Sequence, residues 1–428
     1  MSFKRTFLKG VDYFQLLIDH HARRKGGPGH QAHLTIELNG TPDRETITAW
    51  LQNNQTASQI ARARVSKSGG LGYPSVYFIK SSEAFPAQFV HADKSRLPEI
   101  ISSVSIDPFQ NAPAQLTVIY FPDHTTCLLF SFSHILFDFA GVQSFIGSLA
   151  GMGEPPLFPA KVATEKFAVR FKRFFRAVFF AFREGTKSMT IPERKLPMEK
   201  KLKITFQEHE FSADETKLVY DRMSKSGYGL NRSTPEIASV CQALHHHLFS
   251  KQNHHEFIWL PVPVNNRRKG TADAVFFNGL TFLFYKITKS ELNNASSSQD
   301  VAALLTQQMK DQVNRQLPAA FTDFTNGYWY MPMPFYYPMM QLPSWGKLST
   351  FSFSTLGKTF EGVDELLGCK ITNMVNYPSN TITPGITFLF YEYQNKLRIM
   401  SSWVKGQYPE EEQKAVMKSV VERLQNFL

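Results

Sequence analysis

The chain of 428 residues has three cysteines, Cys127, Cys241 and Cys369. That is too few for a disulfide framework, and their spacings match no zinc pattern. A reducing compartment, the cytoplasm, is the simple expectation. No uncharged apolar run approaches the ~18 residues that suggest a membrane span. The amino-terminal stretch MSFKRTFLKGVDYFQ is basic but lacks an apolar centre and a small-residue cleavage site, so it does not read as a secretory signal. Internal repeats and long low-complexity segments are absent as well, which excludes solenoid and fibrous architectures. Acid is scarce in one region. Lys161 to Lys203 holds thirteen Lys and Arg against four Glu, an excess of nine within a net charge of +11. The basicity is local, and no nucleic-acid-binding motif accompanies it, so no nucleic-acid partner is expected.

Apolar material is abundant: 43% of residues are hydrophobic and 38 are phenylalanine. The length suits two to three domains. Strand-like and helical segments alternate through both halves, an α/β pattern. Helical spacing is expected at Asp12 to Ala22, Asp43 to Asn53, Gly141 to Leu149 and Pro409 to Leu428, and strands at His33 to Leu38 and Ile386 to Tyr393. Cys127-Leu-Leu-Phe-Ser-Phe-Ser133 reads as a buried strand. Gly185 to Lys203 is polar, basic and proline-containing, the composition of a linker. The expected organisation is a lobe over 1–185, a linker over 186–203 and a second lobe over 204–428.

Directly after the buried strand comes Ser133-His134-Ile-Leu-Phe-Asp138-Phe-Ala-Gly141. This is H-x-x-x-D with a glycine three residues on. An imidazole at the mouth of a buried strand is held rigidly and titrates near neutrality, so it can take a proton from a hydroxyl or an amine. Gly141 permits tight entry into the next helix. The alternative is a buried histidine satisfied by backbone, with Asp138 as a helix cap.

Several segments in order resemble the chloramphenicol-acetyltransferase-like superfamily, which includes wax ester synthase/diacylglycerol acyltransferases and peptide-synthetase condensation domains. The family motif H-H-x-x-x-D-G is met by Ser133-His134-x-x-x-Asp138-Phe139. An upstream arginine pattern is met by Ala61-Arg62-Ala-Arg-Val65, and a V-P-V-x-x-R strand end by Val262-Pro-Val-Asn-Asn-Arg267 with Phe276-Phe277-Asn278 after it. Ser354-Thr-Leu-Gly357, Pro384-Gly385 and the final helix follow. The resemblance implies two mixed-sheet lobes with flanking helices and a tunnel between them, and His134 as general base. It also implies an acyl thioester of coenzyme A or an acyl carrier protein as donor substrate, a hydroxyl or less readily an amine as acceptor, and no metal or bound cofactor. A hydrophobic, fatty acyl group is favoured by the phenylalanine content. Two departures stand out: Ser133 for the first histidine and Phe139, bulky enough to narrow the tunnel, for the glycine. A condensation-type, amide-forming enzyme, or an inactive fold serving as a binding or membrane-surface protein, are the competing readings.

The same resemblance pairs Arg62 with Asp138, with Arg64 as a competitor and a surface arginine as the plain alternative. Ser133, Asn278 and Ser354 are candidates for the tunnel wall or an oxyanion contact. Arg267 and Arg268 are candidates for a phosphate of coenzyme A or phosphopantetheine. His245, His246 and His247 lie on consecutive helical positions that point apart, so a shared metal site is poorly supported. Tyr328 to Met340, rich in aromatics and methionine, suits an acyl pocket, a core or a membrane-facing loop. Residues 166–183 form a basic amphipathic helix with only Phe180 off its apolar arc. It can lie on the anionic inner face of a membrane, pack its phenylalanines on the core and offer basic groups to an acyl carrier protein, or simply pack with a solvated face.

Overall fold

The computed structural model describes residues 5–8, 10–66, 73–80, 83–160, 165–184, 195–197, 199, 201–250, 252, 256–267, 273–327, 335–336, 338, 348–382 and 384–427. One lobe is built on a six-stranded sheet in the order Glu365–Leu366, Cys369–Tyr377, Gln31–Leu38, Thr126–Ser133, Ala114–Tyr120, Ala87–His91. All its pairs are antiparallel except the last. Thr126–Ser133 is buried along its whole length. Leu128, Phe130 and Phe132 enter the main core, while Cys127 and Leu129 enter a second cluster with Ile101 and Ile119. A strand covered on both faces needs no polar alternation, which explains its near-continuous apolar run.

The second lobe holds a four-stranded sheet, Ser352–Lys358, Ile386–Tyr393, Lys396–Val404 and Ile204–Glu210 in that order, beside an antiparallel ribbon of Phe257–Asn265 and Leu280–Thr288. Its own core gathers Trp403, Phe388, Leu260 and the inner faces of helices Ser233–Leu244 and Glu410–Gln425. The lobes are not segregated at residue 204. Glu365–Leu366 and Cys369–Tyr377 cross back and complete the first lobe's sheet, with Val375 opposite Thr35. Most of the linker expected over 186–203 lies outside the described residues.

The basic helix forms as Phe167–Glu184 and packs on helix Leu317–Gly327, but it is turned opposite to the core-packing expectation. Ala177, Phe174, Val178 and the seemingly misplaced Phe180 face inward, and Phe167, Phe171, Phe175, Phe179 and Phe182 face solvent. The buried carboxylate of Asp323 accounts for this. It draws in the guanidinium groups of Arg170 (3.1 Å) and Arg173 (2.6 Å), because a buried charge left without a partner costs several kcal/mol, on the order of 3–5.

Candidate active site

Strand Thr126–Ser133 ends where the Ser133 N–H is taken by the Pro113 carbonyl at 2.8 Å. The Ser133 carbonyl then accepts from the N–H groups of Leu136 and Phe137, which closes a turn, and the His134 N–H donates to the His30 carbonyl at 2.9 Å. Asp138 caps helix Phe139–Leu149 by accepting from the Gly141 N–H at 2.9 Å. The H-x-x-x-D spacing therefore spans one strand-to-helix turn. Gly141 is needed for space: a Cβ there would sit 2.2 Å from the Val275 carbonyl oxygen. The helix start can approach the second lobe's segment 275–279 only because that side chain is missing.

The histidine's tautomer follows from the hydrogen bonds around it. Asn278 Nδ2 donates to the carboxylate of buried Asp12 at 2.9 Å and to the carbonyls of His134 and Ile135, both at 3.2 Å. The Asn278 backbone N–H donates to the same Asp12 oxygen at 2.7 Å. Three acceptors, the Asp12 oxygen and the two carbonyls, surround the amide's NH₂ end, so Oδ1 is the end that meets His134 Nδ1, at 3.1 Å. An oxygen there requires Nδ1 to carry the proton, leaving Nε2 with a lone pair. Burial holds the His134 imidazole below the ordinary histidine range, and the hydrogen bond to Asn278 and the charge of Asp138 offset this only partly. The ring is thus a neutral base at neutral pH. Asn278 is consumed in this work and is not available as an oxyanion donor, contrary to the expectation that it lines the tunnel.

The partner of Asp138 is Arg267, not Arg62. Arg267 Nη2 and Nε donate to the two carboxylate oxygens at 2.6 and 3.2 Å. With the N–H groups of Gly141 and Gly279 (2.8 Å), all four acceptor positions of the carboxylate are filled. Arg62 instead donates to the Ser58 carbonyl at 3.2 Å, and Arg64 donates to backbone carbonyls and pairs with Glu83 at 2.5 Å. Arg267 is likewise not placed to hold a phosphate. Its remaining N–H groups reach the carbonyls of Ala274 (3.1 Å) and Phe277 (3.0 Å) and the carboxylate of Asp273. Arg268 lies outside the described residues. Phe277 adopts a left-handed backbone with φ of 76°, an uncommon state for a bulky residue. Its N–H bonds the Leu136 carbonyl at 2.7 Å, so it is held between the lobes from both sides.

A cavity of about 320 Å³ opens between the lobes, lined by His134, Phe139, Phe132 and His33 from one and Phe282, Pro261 and Ser354 from the other. Phe139 lies in the wall, edge-on to Phe360 at 5.5 Å, and does not plug it. Ser133 is not part of the lining. It lies on the opposite strand face to Phe132, fully buried, with no partner for its hydroxyl among the described residues. A different histidine stands beside the base: His30 stacks on His134 with centroids 4.8 Å apart and planes within 5°. His30, Asp12 and Gly279 escape a motif reading because each is far from His134 in sequence. Two further wall groups, the Asn376 Nδ2 and the Thr387 hydroxyl, are buried and unpartnered among the described residues. Most of the stretch from Tyr328 to Met340 lies outside the described residues, though Tyr336 is buried against Tyr13 at 4.5 Å. His245 Nε2 meets Asn293 Oδ1 at 2.8 Å.

Three cavity histidines make stability pH-dependent. Burial pushes His33 down to about 4 and His30 well below its ordinary value, and it lowers His134. The unfolded chain titrates them near ~6.5. Folded values below unfolded ones mean the contribution is complete above about pH 6.5 and is lost as pH falls towards the folded values. We expect stability to decline between about pH 6.5 and 4. His33→Gln should remove on the order of 1–2 kcal/mol of the difference between pH 7.5 and 5. Urea unfolding at both pH values checks this; equal pH dependence in both proteins would reject it.

No family model and no curated protein sequence matches the chain. Its three-dimensional likeness is extensive. The trichothecene 15-O-acetyltransferase from Fusarium sporotrichioides superposes with a TM-score of 0.67 at 13% identity, covering 99% of this chain and 95% of that one. The first condensation domain of the CDA synthetase gives 0.68 at 13%, covering 99% and 96%. Polyketide synthase associated protein 5 from Mycobacterium tuberculosis gives 0.66 at 12%, covering 98% and 99%. The chain has the two-lobed chloramphenicol-acetyltransferase-like fold along nearly its whole length. At these identities the likeness is one of fold, and the wax ester synthases are not among these neighbours.

Proposed function

We propose that the protein transfers a hydrophobic acyl group from a thioester, of coenzyme A or a carrier protein, to a hydroxyl acceptor. The observation that carries this reading is the Asp12–Asn278–His134 chain, which leaves Nε2 of a cavity-lining histidine as a proton acceptor. In the proposed reaction Nε2 takes the acceptor's hydroxyl proton as the oxygen attacks the thioester carbonyl. The carbon–sulfur bond then breaks, and the departing thiolate recovers the proton from the imidazolium. Asp138 and Arg267 are positioning residues that brace the loop. Ser354 remains the candidate for an oxyanion contact, and the amide of Asn376 and hydroxyl of Thr387 suit a carbonyl or hydroxyl of bound substrate.

The fatty character of the acyl group rests on the wall, where Phe14, Ile18, Phe132, Phe282 and Leu389 predominate. An apolar wall gains with each methylene buried, about 0.8 kcal/mol. Release of free thiol from acyl-coenzyme A donors, with a medium-chain alcohol as acceptor, should therefore show kcat/KM rising from acetyl to octanoyl. A preference for acetyl would remove the fatty donor and leave acyl transfer standing. An amine acceptor turned over faster than an alcohol would favour amide formation instead.

A further inference from the structure

Surface helices normally turn their apolar arc to the core and their charged arc to water. Phe167–Glu184 does not. Phe167, Phe171, Phe175, Phe179 and Phe182 are 77, 51, 40, 71 and 60% exposed. They form one row, with ring centroids 5.6 Å apart for Phe167 and Phe171 and 4.8 Å apart for Phe171 and Phe175. At 1.5 Å per residue the row is ~22 Å long. The inward face cannot be exchanged for it, since Ala177, Phe174 and Phe180 are packed and Arg170 and Arg173 are tied to Asp323. An exposed apolar patch of this extent marks a contact surface.

Shape and charge choose the occupant. The row is the crest of a convex helix, which a fluid interface accepts without a matching groove. At 100° per residue Lys172, Arg176 and Arg183 run along one flank of the crest, and they belong to the segment that carries most of the chain's positive charge. Among the described residues neither Lys172 nor Arg176 pairs with an acid, Arg176 Nη1 donates to the Arg315 carbonyl at 2.6 Å, and Arg183, 64% exposed in its side chain, meets the adjacent Glu184 at 2.7 Å. No described helix is long and apolar enough to cross a membrane. We propose that this ridge seats the protein on the surface of an anionic lipid bilayer. The phenylalanines enter the headgroup–acyl boundary, and Lys172, Arg176 and Arg183 meet headgroup phosphates. The inference is independent of the acyl-transfer reading, because neither the cavity nor His134 enters it.

Co-sedimentation of the full chain tests it, with vesicles of phosphatidylcholine alone and of phosphatidylcholine with phosphatidylserine. The chain should pellet with the anionic vesicles, far less with the neutral ones, and come off as salt rises. Phe171→Ser with Phe179→Ser should lower the partition coefficient at least about tenfold while the melting curve stays unchanged. Lys172→Glu with Arg183→Glu should reduce binding to the neutral-vesicle level. Equal binding to both vesicles, binding to neither, or full binding by the phenylalanine variant overturns the proposal. So does a dimer in sedimentation velocity that the phenylalanine variant abolishes, which would give the ridge to a second copy of the chain.

Discussion

Arg267→Ala is expected to destabilise the protein by about 3–5 kcal/mol, the largest stability effect among the residues around the site. The substitution leaves the Asp138 carboxylate, 4% exposed in its side chain, without its counter-charge. It also removes donors to the carbonyls of Ala274 and Phe277, which belong to the segment joining the lobes. Asp138→Ala should be similarly costly, since it strands the guanidinium and removes the cap of helix Phe139–Leu149. Because the two changes remove one shared interaction, the double variant should cost much less than the sum of the singles. Arg62→Ala should stay under ~1 kcal/mol and add independently to Asp138→Ala. Denaturant unfolding of the three single variants and the two double variants, beside the unmodified protein, decides the matter. Strong coupling of Asp138 to Arg62, or additivity with Arg267, would contradict the described pairing.

The strand, turn and helix that carry His134, Asp138 and Gly141 are legible in sequence because their determinants are local. A buried strand announces itself by its apolar run, and the cap and tight helix entry need particular residues at fixed offsets. The partner of Asp138 is not local. Two arginine patterns sit upstream and downstream of the motif, and only the topology selects Arg267, which stands 129 residues away at the end of strand Phe257–Asn265. Asn278 was visible as a site residue, but its task depends on Asp12, 266 residues distant, fixing the amide's orientation. Likewise the 3.6-residue period identifies the basic helix and its two faces, yet cannot say which face is inward. A single buried acid on another helix, Asp323, decides that.

Substitutions at the base and behind it are expected to have the largest effects on rate. His134→Ala removes the proton acceptor and should lower turnover by about 10²–10⁴. Asp12→Asn keeps size and shape but removes the charge that fixes the Asn278 amide. The amide can then turn its NH₂ towards Nδ1, which favours the tautomer with the proton on Nε2 and no lone pair facing the acceptor. Asp12→Asn should therefore lower kcat with little change in donor KM, and Asn278→Leu, which removes the acceptor for Nδ1, should lower kcat in the same way. Loss of donor binding in Asp12→Asn, with turnover of bound substrate preserved, would assign Asp12 to architecture alone.

The most direct measurement is single-turnover release of thiol from a bound acyl thioester in the presence of an alcohol acceptor, comparing the unmodified protein with His134→Ala. The melting temperature and donor affinity of each protein are measured first. Unchanged melting, nearly unchanged thioester affinity and an acyl-transfer rate lower by about 10²–10⁴ are expected of the variant. Transfer by His134→Ala at the unmodified protein's rate would contradict the role of His134 as base and leave the H-x-x-x-D turn a structural joint between the lobes.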